Sequence, residues 1–177
     1  MRNPYFSEVG NWRIARTAIS DSLAEIAVDG RDGNEGIVLW LGHDDGDVAE
    51  VTHLVRLRGP HVERLPDLIN IYPLLLNEVT DLAIRHKVRL LGQIHSHGPN
   101  YPLDLSATDR EYGIKAPQYL SLVAPNYGNT AFPIHTWGVH VFVEGFGYSR
   151  LSQEEAEQRL CIVEGPHLSL LTAGGAE

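Results

Sequence analysis

The chain is poor in cysteine and in basic residues, and it has no long apolar run. Its single cysteine, Cys161, excludes an internal disulfide and a zinc site built from cysteines of this chain, a usage typical of a reducing compartment. Residues 1–8 lack the apolar core of a secretion signal, and no segment approaches the length of a membrane span. We therefore expect a cytoplasmic protein without membrane contact.

Acidic residues outnumber basic ones, with 23 Asp and Glu against 14 Lys and Arg and a net charge of −9. Because a nucleic-acid-binding protein needs a basic stripe to neutralise phosphates, we expect no nucleic-acid partner. The hydrophobic content of 43% is that of an ordinary globular protein. At 177 residues the chain is long enough for one domain, which we predict over residues 1–165, followed by a loose tail at 166–177.

Hydrophobic patterning predicts a mixture of strands and helices. A continuous apolar run at 36–41 is typical of a strand buried on both faces, and 48–57 alternates as a half-buried strand does. One helical face extends over about 70–87, a shorter helix with a serine cap is predicted at 20–27, and 60–67 is predicted to be a loop. This mixture predicts an α/β fold, a three-layer α-β-α sandwich around a mixed sheet.

Two histidines one residue apart, His95 and His97, end an apolar stretch at 88–94 that is typical of a buried strand. Side chains at i and i+2 of a strand point to the same face, so both imidazoles can reach one ion, while Ser96 points away. Asp109 follows after a short loop. A catalytic zinc uses three protein ligands and leaves a fourth position open, and His95, His97 and Asp109 match that ligand set.

Two further residues accompany this pattern. Ser106 stands three residues before Asp109, and Glu35 opens the most hydrophobic segment of the chain, where a glutamate is costly unless it is paired or used. Each feature alone has a simpler interpretation: a helix N-cap with an acidic third residue for Ser106 and Asp109, an exposed turn for Glu35, and surface or core histidines for a lone His-x-His. Their joint occurrence favours a metal site.

These five residues, in that chain order, resemble the JAMM motif of the JAB/MPN metalloprotease family. The resemblance covers about residues 12–162. One position departs from the family pattern: Gly98 stands where proline is usual, and the loop at 98–105 is one residue longer. The His-Ser-His-Gly sequence looks most like that of bacterial members of the family. These members resemble deubiquitinase-like peptidases that are encoded beside ubiquitin-like proteins in antiphage operons.

The resemblance implies a JAB/MPN fold, similar to that of cytidine deaminases, and one Zn²⁺ per chain on His95, His97 and Asp109. It implies that Glu35 acts as base and acid and that Ser106 stabilises an oxyanion. The implied reaction is hydrolysis, by metal-activated water, of the peptide or isopeptide bond after the C-terminal glycine of a bacterial ubiquitin-like protein. The implied partners are this modifier and its conjugates, with matching E1- and E2-like enzymes, in antiviral defense.

Other functions stay open on the sequence alone. A non-catalytic MPN-like scaffold that binds proteins fits the same fold, although scaffold members typically lose ligands that this chain keeps. A metallopeptidase that processes a sulfur-carrier protein would use the same chemistry. A zinc deaminase is disfavoured because its His-x-Glu and Pro-Cys-x-x-Cys pattern is missing, and two histidines with a carboxylate also occur in non-haem iron oxygenases.

Overall fold

The computed structural model describes residues 10–175. Its helices are α1 (Arg16–Gly30), α2 (Pro73–His86), α3 (Ala107–Tyr112) and α4 (Gln153–Arg159). Its strands are β1 (Asn11–Ala15), β2 (Ile37–Asp45), β3 (Val48–Leu57), β4 (Val62–Leu65), β5 (Leu68–Ile71), β6 (Arg89–Ser96), β7 (Leu120–Ala124), β8 (Gly138–Val143), β9 (Gly147–Arg150), β10 (Leu160–Val163) and β11 (Ser169–Ala173).

One mixed sheet runs through the described part of the chain, in the order β10-β1-β3-β2-β6-β7-β8-β9, with β11 beside β3 beyond the end of β1. β2 is antiparallel to both β3 and β6, whereas β6 and β7 are parallel. β4 and β5 form a separate hairpin. Because β2 and β6 are antiparallel, with Ile37 opposite His95, the start of β2 lies next to the end of β6.

Helices cover both faces of this sheet. On one face, Ile26 of α1 belongs to the same core cluster as Trp40 of β2. On the other face, Leu75 of α2 clusters with Leu39 of β2. β2 supplies both clusters because its continuous apolar run is buried on both faces. The predicted α/β fold, with a mixed sheet between layers of helices, is confirmed.

The helices differ from the prediction mainly at their ends. Pro73 occupies the first turn of α2, where its missing N–H costs no helical hydrogen bond. The predicted start at residue 70 is too early because 68–71 forms β5. α1 follows β1 directly and has no side-chain cap, so the predicted serine cap is wrong. Ser22 is buried in α1 and accepts a hydrogen bond from Trp40 Nε1 at 3.0 Å.

Two segments predicted to be irregular contain strands. The predicted loop at 60–67 contains β4 and the turn into β5. The predicted loose tail at 166–177 contains β11, which pairs in parallel with β3, so that prediction is wrong for 169–173. Leu170 and Leu171 pack against opposite core clusters. Apolar packing on both faces removes the alternation by which a sequence indicates a half-buried strand.

The structure does not test the sequence-based expectations about residues 1–8, residues 176–177 and the number of domains. Residues 1–8, where no secretion signal was expected, and residues 176–177 lie outside the described residues. The assignment of 1–165 to a single domain stays a prediction. Within residues 10–175, no helix has the length and apolar character needed to cross a membrane.

Candidate metal centre

The end of β6 places two imidazoles side by side. His95 and His97 are 2% and 5% exposed, and their ring centroids lie 5.2 Å apart in an edge-on arrangement. Ser96 points to the other side of the strand, where its Oγ accepts a hydrogen bond from the Gly36 N–H at 3.0 Å. Because side chains alternate along the strand, the two histidines face the site, whereas Ser96 faces the other way and binds the backbone just before β2.

A short helix brings Asp109 to the histidines. Ser106 is the N-cap of α3: its Oγ accepts from the Asp109 N–H at 3.0 Å, and its own N–H donates to Asp109 Oδ2 at 2.8 Å. This reciprocal capping box orients the carboxylate. Asp109 Oδ2 lies 3.5 Å from His97 Nε2 and 3.8 Å from His95 Nε2. One ligand atom from each of the three residues lies within 4.8 Å of the others.

These three side chains fit a metal ion. Ligand atoms about 2.0–2.1 Å from a tetrahedral zinc lie roughly 3.3 Å apart, close to the separations observed. His95 Nε2 is buried without a hydrogen-bond partner, which is costly unless another group binds it. His97 Nδ1 lies 2.6 Å from the Pro102 carbonyl oxygen, so Nδ1 donates and the lone pair of Nε2 faces the site. The group can therefore hold one metal ion.

The charge state of Asp109 also suits a ligand. Burial by itself would raise the pKa of this carboxyl, but the two nearby imidazoles of His95 and His97 and the hydrogen bonding with Ser106 outweigh it and hold the pKa well below the usual range. Asp109 is therefore ionised at neutral pH. A carboxylate beside two imidazoles supplies the negative charge and the oxygen and nitrogen donors that a divalent cation requires.

Glu35 faces the same site from the start of β2. Its side chain is buried, and Oε1 lies 3.9 Å from His97 Nε2. Its N–H donates to the Leu65 carbonyl of β4 at 2.9 Å, which fixes the backbone next to the β4–β5 hairpin. Burial, and then the negative charges of Asp109 and Asp67, raise the pKa of Glu35 to about 8, although His97 opposes this shift. Glu35 can therefore exchange a proton near neutral pH.

Ser106 is exposed at the first turn of α3. Its Oγ accepts a hydrogen bond from the Asp109 N–H, as predicted by the interpretation of Ser-x-x-Asp as a helix N-cap. The hydroxyl hydrogen remains available to donate to another acceptor. The predicted oxyanion role therefore stays a prediction, while the capping role is observed.

The longer loop at 98–105 is held by Asp104. Its Oδ1 accepts from Arg110 Nη2 at 2.6 Å, from the Leu105 N–H at 2.9 Å and from His140 Nε2 at 2.8 Å. His140 lies in β8 with no exposed surface, and burial lowers its pKa although Asp104 opposes this. One carboxylate thus joins the loop, α3 and the sheet. The sequence did not identify this contact of His140, because His140 lies 36 residues from Asp104 in the chain.

A pocket of about 400 Å³ opens beside His95 and Asp109. All four residues of β5 line it, together with Thr108, Tyr112 and Ile114. Gln93 and Ser121 also line it. Four successive residues of one strand border the pocket, so the edge of β5 faces it. Within residues 10–175, β5 pairs with β4 alone.

Sequence reasoning missed Gln93, Tyr119 and Ser121, which surround His95. Tyr119 Oη donates to Gln93 Oε1 at 3.0 Å, and Gln93 Nε2 lies 3.2 Å from both Ser121 Oγ and His95 Nδ1. One signal was available: Gln93 stands two residues before His95 on the same strand, so the two side chains share a face. The sequence contained no comparable signal for Ser121, because its position opposite Gln93 depends on the pairing of β6 with β7.

No family model matches this chain, and no curated protein matches it. Among solved structures, it is similar to protein DSY2949 from Desulfitobacterium hafniense, with 18% identity and a TM-score of 0.63 over 88% of this chain and 94% of that one. It also matches AF2198, a JAB1/MPN domain protein from Archaeoglobus fulgidus, with 15% identity and a TM-score of 0.45 over 87% of this chain and 98% of that one. The first similarity shows a shared fold, and the second is too weak to support a conclusion.

Proposed function

We propose that this protein is a zinc-dependent peptidase of the JAB/MPN (JAMM) type. Its reaction is hydrolysis of the bond after the C-terminal glycine of a bacterial ubiquitin-like protein, in deconjugation or precursor processing. The observation that carries the proposal is the buried, unpartnered Nε2 of His95, which lies 3.8 Å from Asp109 Oδ2. His97 and Glu35 face the same site, and these four residues occur along the chain in the order of the JAMM motif.

His95, His97 and Asp109 would hold the zinc ion. When bound, zinc polarises a carbonyl group and lowers the pKa of a water molecule to about 7. Glu35 Oε1, 3.9 Å from His97 Nε2, would take a proton from the attacking water and then give it to the leaving amine. The Ser106 hydroxyl donates to the carbonyl oxygen as it gains negative charge, a contribution of roughly 10²–10³ in rate for such donors.

The pocket fits an extended peptide tail. The edge of β5 offers backbone donors and acceptors to an added strand, which is one way in which proteins bind extended chains. A tail in this position would present its last residue to His95 and Asp109, which line the pocket. The net charge of −9 suits a basic tail. Partners would be the modifier, its conjugates and matching E1- and E2-like enzymes, in antiviral defense; processing of a sulfur-carrier protein would use the same residues.

The first test is the zinc content of the purified chain by elemental analysis. We expect about one zinc per chain, which His97→Ala removes because it takes away one of three ligands. The matched control is His135→Ala, since His135 pairs with Glu157 away from the site. A wild-type chain that takes up no zinc, even from added metal, would contradict the proposal.

The second test is hydrolysis of a synthetic isopeptide in which a C-terminal glycine is joined to a lysine Nζ. Glu35→Gln keeps the shape of the side chain but cannot take a proton, so we expect zinc content to be unchanged and the rate to fall about 10²–10⁴-fold. Equal rates for Glu35→Gln and wild type would refute the mechanism. Zinc binding without hydrolysis of this or a longer ubiquitin-like conjugate would instead favour a binding scaffold.

A further inference from the structure

A chain of hydrogen-bonded side chains lies behind the first histidine of the metal centre. Tyr119 and Ser121 are 1% and 0% exposed, and both face Gln93. Gln93 in turn contacts Nδ1 of His95, the ring nitrogen that faces away from Asp109. Gln93 thus connects β7 to the imidazole ring.

The orientation of the Gln93 amide determines the tautomer of His95. With Nε2 of Gln93 facing the ring at 3.2 Å, His95 Nδ1 accepts a hydrogen bond and the ring proton is on His95 Nε2. That nitrogen is buried and has no partner, which costs free energy. A protonated Nε2 also cannot bind a metal, because its lone pair is not available.

Rotation of the amide by half a turn gives the opposite arrangement with the same hydrogen-bond partners. Gln93 Oε1 then accepts from His95 Nδ1–H and from the Ser121 hydroxyl, and Gln93 Nε2 donates to Tyr119 Oη. Both hydroxyl groups accept this exchange because each can donate and accept. His95 Nε2 is then unprotonated, beside His97 and Asp109, with its lone pair free.

We propose that Gln93 is a positioning residue, whose amide holds His95 in the tautomer that binds the metal. This inference rests on the metal site of the proposed function. A hydrogen-bond acceptor behind a ligating histidine fixes the ring and increases its basicity, and loss of such a partner typically reduces metal affinity 10–100-fold. Ser121 and Tyr119 support the amide in either orientation.

The test compares Gln93→Glu with Gln93→Met by zinc dissociation constants, measured in competition with a chromophoric chelator. A glutamate keeps an acceptor for His95 Nδ1–H, so we expect an affinity equal to or higher than that of wild type. A methionine has a similar length but no acceptor of comparable strength, so we expect affinity to fall about 10–100-fold. Nitrogen NMR shifts should show the Nδ1–H tautomer of His95 in the zinc-bound wild type and Gln93→Glu proteins.

If Gln93 only stabilised the fold, Gln93→Met would bind zinc more tightly than Gln93→Glu, because the interior tolerates a methionine better than a carboxylate. Equal zinc affinity in wild type and Gln93→Met would therefore overturn the inference while the zinc site stands. Absence of zinc from wild type would overturn the proposed function itself.

If Gln93→Met does not fold, Ser121→Ala serves instead. This substitution removes one donor to the Gln93 amide, and we expect zinc affinity to fall about two- to tenfold. An unchanged affinity would count against the role of Gln93.

Discussion

The phenol oxygen of Tyr127 lies 2.7 Å from the position that a Cβ atom on Gly98 would occupy. Tyr127 has a left-handed backbone, with φ of 54°, and its N–H donates to the His97 carbonyl at 2.9 Å. The aromatic ring therefore lies against the residue that follows the second histidine of the metal centre. Glycine replaces the proline expected there because a ring at 98 would collide with Tyr127.

Gly98→Ala should destabilise the protein by about 1–3 kcal/mol, the usual cost of overpacking. Such a loss lowers the melting temperature by several degrees in a chain of this size, which calorimetry can measure. In a Tyr127→Ala background the same substitution should cost almost nothing, because the added methyl group meets no ring. Equal costs in the two backgrounds would show that the two residues are not coupled.

Glu35 should make the metal-free protein less stable as pH rises. Its pKa is about 8 in the folded state against an ordinary value of 4.5, so the folded state binds this proton more tightly than the unfolded state does. The stabilisation is complete below pH 4.5 and is lost as pH rises through 8. At roughly 1.4 kcal/mol per pKa unit, the loss is on the order of 3–5 kcal/mol.

Urea unfolding at several pH values tests this dependence. Glu35→Gln should reduce the fall in stability between pH 4.5 and 8 and should be more stable than wild type above pH 8. Glu63→Gln, an exposed substitution in β4, serves as the control and should follow wild type. Parallel pH curves for wild type and Glu35→Gln would contradict the raised pKa.

Asp104→Ala should loosen the loop that leads to Asp109. The substitution leaves His140 Nε2 buried without its acceptor and releases Arg110 from the loop, which should cost about 1–3 kcal/mol. Since Arg110 follows Asp109 in α3, zinc affinity should fall as well. Asp81→Ala on the exposed side of α2 is the control. The expectation fails if both variants unfold at the same urea concentration as wild type.

Leu171→Ser should show that β11 belongs to the folded core. Leu171 packs against the cluster that contains α2, and a serine there should cost about 1–3 kcal/mol. Leu168, which is 72% exposed, provides a matched control because Leu168→Ser should change stability by less than about 0.5 kcal/mol. Equal melting temperatures for the two variants would mean that β11 does not contribute.

Local patterns in the sequence predicted the features that depend on neighbours along the chain. Strand alternation placed His95 and His97 on one face, and the spacing of Ser106 and Asp109 indicated the capping box that starts α3. These predictions succeed because the period of a strand or the first turn of a helix involves only a few adjacent residues.

The tertiary structure alone decided the features that depend on pairing between distant segments. The pairing of β2 with β6 brings Glu35 to 3.9 Å from His97, and the loop held by Asp104 brings Asp109 to the histidines. β11 forms a strand because β3 has an open edge beyond β1. Gln93 contacts Tyr119 and Ser121 because β6 and β7 lie side by side. Sequence motifs indicate which side chains such a site needs, but distances between them depend on packing and register across the sheet.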